Sequence, residues 1–171
     1  TVAQARYALE NFHYLHRTRT GRQINYAVLI DGIVDGVITY AYPPGSFVLL
    51  GLQPGQFIEF ARLYLHSNIP HSASCAIGQT IRRIRSDWAL LFPDADVLQL
   101  IVSWSDKEYH TGTIYKAANF QWLRVTKGAS QGGLTKGKKR WGERGKYTDL
   151  AHDKDCWIYW LEKPKNGHQT D

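Results

Sequence analysis

The spacing of apolar residues in the first half of the chain predicts one helix followed by three strands. Apolar residues recur at helical intervals over 2–16, which predicts an N-terminal helix. Residues 24–40, INYAVLIDGIVDGVITY, form two apolar runs with Asp-Gly pairs at 31–32 and 35–36. We therefore expect an antiparallel hairpin that turns at one of these pairs. Residues 57–66, FIEFARLYLH, alternate well enough to predict a further strand.

The second half of the chain predicts a long helix, a buried strand, a short helix and two more strands. Apolar residues at intervals of four and three mark the long helix, which ends at Phe92-Pro93. They are Ile77, Ile81, Ile84, Trp88 and Leu91. The continuous apolar run at 97–104 predicts a buried strand, 111–119 a short helix, and 120–126 and 156–162 the last two strands. This order indicates an α/β (or α+β) layer in which helices flank a mixed sheet.

Composition narrows the class of protein. The 171 residues, 43% of them apolar, are enough for a single domain over 1–171 with a hydrophobic core. No apolar run approaches the roughly 20 residues that span a bilayer, so we expect no membrane partner. The two cysteines form neither a metal-finger pattern nor a disulfide framework, which favours a reducing cytoplasm.

Positive charge is concentrated near the C-terminus. Between Arg124 and Lys146 there are eight basic residues and one acidic residue, while the whole chain carries a net charge of +6. The segment is rich in glycine and lacks apolar periodicity, so we assign 124–148 as an inserted basic loop. Such a loop is typical of contact with the phosphates of double-stranded DNA, and the alternative is a solvated loop without a partner. The residues expected to contact DNA are Lys127, Lys136, Lys138, Lys139, Arg140, Trp141 and Arg144.

The segment HSASCAIGQTIRRIR (71–85) places small residues at the start of the long helix. Backbone N–H groups and the helix dipole make such a terminus an anion site, which a pyrophosphate can approach. The candidate cofactor-binding residues are Ser72, Ser74, Cys75, Ala76, Ile77 and Gly78. The alternative is an ordinary helix cap made by Ser72 or Ser74. For Cys75 we expect a buried packing role rather than that of a nucleophile.

Polar residues follow the predicted buried strand in SWSDKEYHTGTIYKAANF (103–120). Strand ends in α/β sheets open onto ligand crevices, and such an end would carry Ser103, Ser105, Asp106 and His110. Asp106 with His110 can perform acid–base chemistry, and Tyr115 can donate a proton to a leaving group. The alternative is a hydrogen-bonded turn in which Asp106 caps and Tyr115 packs.

Three segments carry a resemblance to a known family. NFHYLHR, SASCAIGQTIRRI and SWSD followed by HTGTIYKAANF resemble the phage Mom-type DNA modification proteins, over about residues 10 to 125. The order of strand, small-residue loop, helix, buried strand and Tyr-bearing helix resembles the GNAT acyltransferase fold. The resemblance implies an enzyme that transfers a methylcarbamoyl-type group to N6 of adenine in phage DNA. Such modification protects the DNA from host restriction, in the cytoplasm of the infected bacterium.

The resemblance also implies roles for residues and a donor. Asp106 would act as base or orienter and Tyr115 as proton donor beside Ser103, with His13 and Tyr14 as the wall nearest the adenine. The donor, acetyl-CoA or another acyl donor, would lie between the fourth and fifth strands, with its anionic part on 72–78 and with Asn119 as a further contact. The usual GNAT loop pattern, (Q/R)xxGx(G/A), is absent from HSASCAIG. The family has been connected with iron, for which the candidate ligands are His13, Tyr14 and Asp106.

Two other functions fit the same residues. One is a GNAT-like enzyme that acylates a small amine, a protein or tRNA, and would bind its donor and turn over without DNA. The other is a non-catalytic DNA-binding module, which would bind DNA in a salt-sensitive manner and leave its bases unchanged.

Overall fold

A computed structural model describes residues 1–16, 18–43, 48–127 and 152–162, and their order of helices and strands confirms the predicted order. The helices are α1 (Val2–Phe12), α2 (Ser72–Leu91) and α3 (Thr113–Ala117). The strands are β1 (Gln23–Ile30), β2 (Ile33–Ala41), β3 (Phe57–Leu65), β4 (Leu100–Asp106), β5 (Gln121–Thr126) and β6 (Lys154–Trp160). These strands form one mixed sheet in the order β1-β2-β3-β4-β6-β5. Only β3 and β4 are parallel to each other, and the other neighbours are antiparallel.

The hairpin turns at the first of its two Asp-Gly pairs. Asp31 and Gly32 have φ angles of 50° and 80°, which a two-residue turn with positive φ at both positions requires. The second pair lies inside β2, where Asp35 accepts hydrogen bonds from the backbone and hydroxyl of Ser67. A Cβ on Gly36 would lie 2.0 Å from the carbonyl oxygen of Tyr64, so the approach of β3 excludes a side chain there.

The two faces of the sheet bury different clusters. On one face, α2 and α3 pack against Ile58, Ile101 and Trp157. On the other face, Phe57, Leu100, Val102, Cys156 and Ile158 pack with Leu49 and Leu52, and α1 packs through Ala5 and Leu9 against Val37. None of the helices in the described ranges is long and apolar enough to cross a membrane.

Several predicted boundaries are wrong. The first helix ends at Phe12 rather than at residue 16, because His13 adopts an extended backbone with ψ of 139°. The segment 72–78 is the first two turns of α2 rather than a loop. Leu91 closes the helical pattern but is 57% exposed, since the last turn of α2 extends past the core. The short helix is confined to Thr113–Ala117, and the last strand begins at Lys154 rather than at residue 156.

The parallel strands β3 and β4 pair over a short length and then separate. Their register contains only three residue pairs, which are Phe57–Leu100, Ile58–Ile101 and Glu59–Val102. Beyond them, the hydroxyl of Ser103 donates to the carbonyl of Phe60 at 2.8 Å. The resemblance placed the donor in an opening beside 72–78; the opening that the structure shows lies between β3 and β4, the strands on either side of α2, and binding of the donor there stays a prediction. This opening positions the site described next.

Candidate active site

A cavity of about 720 Å³ opens where β3 and β4 separate. Its walls include Phe60 and Arg62 from β3, Ser103 and Trp104 from β4, and Tyr115 from α3. Ser103 and Trp104 are consecutive residues of one strand, so their side chains point to opposite faces of the sheet. Because both line the cavity, it passes through the gap in the sheet and is open to groups from both faces.

A buried hydrogen-bonded chain, here called the inner cluster, comprises the carbonyl of Phe60, Ser103 and Tyr115. The hydroxyl oxygens of Ser103 and Tyr115 are 2.9 Å apart. Burial raises the pKa of Tyr115 to about 12, while its hydrogen bond with Ser103 lowers the pKa in part. Tyr115 therefore keeps its proton at neutral pH, and because the Ser103 hydroxyl donates to the carbonyl of Phe60, the Tyr115 hydroxyl donates to Ser103.

Packing fixes the ring of Tyr115 in the cavity wall. The ring stacks on Trp157 with centroids 5.4 Å apart and an interplanar angle of 5°, and it meets Phe120 edge-on at 5.6 Å. Gly112 precedes α3 with φ of 76°, and a Cβ there would lie 2.2 Å from the Trp157 ring. Tyr115 thus has the packing role that the sequence gave as one alternative, and proton donation to a leaving group stays a prediction.

A second polar group, here called the outer cluster, lies at the end of β4 and comprises Asp106, Glu108 and His152. Asp106 is only 2% exposed, and its Oδ2 lies 3.0 Å from Nδ1 of His152. Its Oδ1 accepts the backbone N–H of Glu108 at 3.0 Å. Nε2 of His152 lies 3.2 Å from a carboxylate oxygen of Glu108. The buried carboxylate therefore orients an imidazole that lines the cavity.

Sequence reasoning missed His152. It lies 46 residues beyond Asp106, on the far side of the basic segment, and no local spacing connects the two residues. They meet because β6 pairs with β4, placing Lys154 opposite Asp106.

His13 and Tyr14 reach the cavity from the chain that follows α1. Their rings stack with centroids 4.6 Å apart, and Tyr14 also meets the rings of Tyr109 and His110 at 5.9 and 5.5 Å. His13 is buried, whereas Tyr14 is 48% exposed. Burial lowers the pKa of His110, and nearby Asp106 opposes this effect. His110 is therefore largely a neutral imidazole at pH 7.

The three candidate iron ligands do not form a metal centre. Both carboxylate oxygens of Asp106 are engaged, by His152 and by the backbone of Glu108. Nδ1 of His13 accepts the backbone N–H of Leu15 at 3.1 Å. Within the described ranges, no group of three or more His, Cys, Asp or Glu side chains is arranged to hold a metal ion. The residues present do not fit the iron that the resemblance implied.

The start of α2 lacks the side-chain cap that was the alternative to an anion site. The hydroxyls of Ser72 and Ser74 donate to the carbonyls of Ile69 and His71, and neither caps the helix. Cys75 is exposed, so its expected buried packing role is wrong. Ala76 and Ile77 face the core, and a Cβ on Gly78 would meet nothing within 4 Å. Binding of an anionic donor here stays a prediction.

The remaining predicted contacts are dispersed. Asn119 follows α3 with φ of 61°, is exposed and does not line the cavity. Lys127 lies at the cavity edge and forms an ion pair with Asp153 at 2.7 Å. The other predicted DNA contacts, Lys136, Lys138, Lys139, Arg140, Trp141 and Arg144, lie outside the described residues.

Solved acetyltransferases have a similar fold. The microcin C7 self-immunity acetyltransferase MccE, in complex with acetyl-CoA and AMP, matches with a TM-score of 0.51 and 10% identity over 93% of this chain and 67% of that chain. An N-acetyltransferase from Staphylococcus aureus Mu50 matches with a TM-score of 0.50 and 12% identity, over 87% and 72% of the two chains. A ribosomal-protein-alanine N-acetyltransferase from Brucella melitensis gives 0.51 and 11%, over 80% and 67%.

The mixed six-stranded sheet with its separated parallel pair is thus a GNAT-like acyltransferase fold. At these identities the likeness concerns the fold alone. The chain belongs to the Mom protein family, whose model matches residues 1–162. None of the curated proteins matches the sequence.

Proposed function

We propose that this protein is a transferase that attaches a methylcarbamoyl-type, acyl-derived group to N6 of adenine in phage DNA, protecting the DNA from host restriction. The observation that carries the proposal is the cavity between β3 and β4, in a chain of the Mom protein family. An aromatic wall, a proton donor and an oriented imidazole all lie on this cavity. Its volume of about 720 Å³ is within the usual range for ligand sites.

The acceptor adenine would enter the cavity as an extrahelical base, because chemistry on N6 needs access that the stacked duplex denies. The exposed ring of Tyr14 supplies a surface for base stacking, supported by His13 beneath it. The cations around the opening, Arg124, Lys127 and Lys154, suit the polyanion that carries the base.

The N6 lone pair of adenine is delocalised into the ring, so the transfer needs a base that accepts the N6 proton, for which His152 is the candidate, and an acid that protonates the leaving group. Asp106 lies beneath His152 and holds its imidazole, so we assign Asp106 the orienting role rather than that of the base. Tyr115 is the candidate proton donor to the leaving group, held by Ser103.

The donor would be acetyl-CoA or another acyl donor with an anionic group; acetyl-CoA supplies only an acetyl group, so a methylcarbamoyl-type product requires a donor that also carries the amide nitrogen. When bound, such a donor would supply an activated acyl-type carbon for the transfer. The start of α2 fits the anionic part, because no side chain caps its first-turn N–H groups. MccE, which has a similar fold, was solved with acetyl-CoA.

The test is mass spectrometry of nucleosides from the DNA of cells that express the protein. The wild type should produce a heavier adenosine species whose mass shift identifies the transferred group, and Asp106→Ala should abolish it. Asp35→Ala is the matched control, because Asp35 also accepts a backbone N–H but lies away from this cavity. A folded Asp106→Ala variant that retains full modification would contradict the assigned role.

Two other outcomes would favour the alternatives. An unchanged adenine pool together with salt-sensitive DNA binding would indicate a binding module. Donor turnover on small amines without DNA would indicate a different acyltransferase.

A further inference from the structure

A cationic strip on β5 and β6 borders the cavity and is described here as the β5–β6 rim. It comprises Arg124, Thr126 and Lys154, all of which line the cavity. Thr126 pairs directly with Lys154, and Arg124 pairs with Cys156, two residues further along β6. Paired residues of antiparallel strands project from the same face, so the three side chains share one face of the sheet.

We propose that the β5–β6 rim binds backbone phosphates of the DNA strand that presents the target base. This inference rests on the proposed function, because it assigns the nucleic-acid contact of the same cavity. It places a DNA contact on the folded sheet itself, in addition to the basic loop expected from the sequence.

The charges around the β5–β6 rim favour an anion. The carboxylates around it each contact another group, including Asp106, which lies opposite Lys154 on β4 and contacts His152. Asp153 pairs with Lys127, and Asp155 accepts the indole N–H of Trp122. Across the cavity, Glu59 forms an ion pair with Arg19. Arg124 is exposed, and β5 is the edge strand of the described sheet, so a large ligand can reach the rim.

A phosphate at this place has two chemical sources, the DNA backbone and the acyl donor. The face of the sheet decides between them. Arg124 lies on the same face as Cys156, which packs with Phe57, Leu100 and Val102. The helix α2 packs on the other face, so the predicted donor site at its start is across the sheet from the β5–β6 rim. The β5–β6 rim therefore binds phosphates of the DNA, which is the acceptor, and not those of the acyl donor.

The experiment measures binding of a fluorescein-labelled 20-base-pair duplex by anisotropy between 50 and 200 mM salt, without donor. The rim variant is Arg124→Gln with Lys154→Gln, and the matched control is Arg6→Gln with Lys116→Gln. The control removes the same charge at exposed positions away from the cavity. The rim variant should reduce the slope of log K against log salt by about 1.8, since each phosphate contact contributes about 0.9. The control should leave the slope within about 0.3 of the wild type.

A single Arg124→Gln change at an exposed position serves as a second test and should reduce the slope by about 0.9. Titration of the rim variant with acetyl-CoA should give the wild-type dissociation constant within twofold. An unchanged slope, or an equal loss in the control, would overturn the proposal. A tenfold loss of acetyl-CoA affinity with an unchanged DNA slope would also overturn the proposal, because it would show that the β5–β6 rim binds a phosphate of the donor.

The outcome is separable from that of the proposed function. A reduced slope in a protein that leaves cellular adenine unmodified would support the β5–β6 rim and contradict the modification activity. Modified adenine with an unchanged slope would support the modification activity and contradict phosphate binding by the β5–β6 rim.

Discussion

The strand β4 carries two polar clusters that are held in different ways. The inner cluster at Ser103 is buried, and its tyrosine is fixed by the rings of Trp157 and Phe120. The outer cluster at Asp106 joins a buried carboxylate to His152, which also contacts Glu108, a side chain that is mostly exposed. Packing thus sets the geometry of Tyr115, while charge and hydrogen bonding set that of the His152 imidazole. Substitutions that affect one kind of interaction separate the two clusters.

The largest expected effect is on activity, in Tyr115→Phe. The change removes the candidate proton donor, so adenine modification should fall by about 10²- to 10⁴-fold. The stability cost is one hydrogen bond, about 1 kcal/mol. Tyr40→Phe is the matched control, because Tyr40 is also buried and its hydroxyl bonds Thr80 outside the cavity. Rates are compared by quantifying modified adenosine, and equal losses in both variants would contradict the role of Tyr115.

The next largest effect concerns the packing of the inner cluster. Gly112→Ala should reduce the free energy of unfolding by at least about 2 kcal/mol, because positive φ and the Trp157 ring both oppose a Cβ. Gly51→Ala has a similar φ of 79° but meets nothing within 4 Å, so it should cost about half as much. Urea unfolding measures both. Equal costs would show that Trp157 does not constrain this turn.

Asp106→Ala tests the outer cluster. It removes the hydrogen-bond partner of His152, and we expect a loss of about 1.5–3 kcal/mol in the free energy of unfolding. Chemical denaturation at pH 7 checks this value. A neutral effect would mean that the buried carboxylate does not hold the imidazole.

The inner cluster also predicts a loss of stability at alkaline pH. The pKa of Tyr115 is raised from 10.0 to about 12, so the folded protein holds this proton more tightly than the unfolded chain does. The resulting stability is complete below pH 10 and is lost as the pH rises through 12. Between pH 9 and 11 the loss from this residue is about 1.3 kcal/mol. Urea unfolding of Tyr115→Phe should lose that much less than the wild type over this interval, and parallel losses would contradict the assignment.

The smallest effect is expected for Glu108→Gln. Glu108 is 61% exposed in its ion pair with His152, so stability should change by less than about 1 kcal/mol. A cost as large as that of Asp106→Ala would remove the distinction between the buried and exposed carboxylates. Thermal unfolding of the two variants side by side provides the comparison.

The fold was predictable where apolar spacing alone decides structure. Ile77, Ile81, Ile84 and Trp88 are buried as their period predicts, because one face of α2 covers the sheet. Local spacing does not report where a helix passes beyond the core, so Leu91 keeps the apolar period of α2 and is nevertheless exposed. The choice between Asp31-Gly32 and Asp35-Gly36 depended on contacts of the second pair with Ser67 and Tyr64, which are distant in sequence.

The site was predictable only in part. Tyr115 and Ser103 belong to one continuous segment, and the pairing of strand end and following helix brings them together. Asp106 meets His152 because β6, which follows the basic segment, pairs with β4. No local sequence pattern indicates this long-range pairing. The contact of Asp106 with His152, on which its proposed orienting role rests, therefore could not be predicted from the sequence.

The most direct test of the central claim, that the cavity between β3 and β4 is where adenine is modified, is to fill it. Ala61 lines this cavity and carries no proposed chemical role, while exposed Ala27 lines a separate cavity beside α1. Nucleoside mass spectrometry of DNA from cells that express Ala61→Phe should show no modified adenosine, although the purified variant folds and binds DNA. Ala27→Phe should retain the modification. Full modification by a folded Ala61→Phe variant would contradict the account.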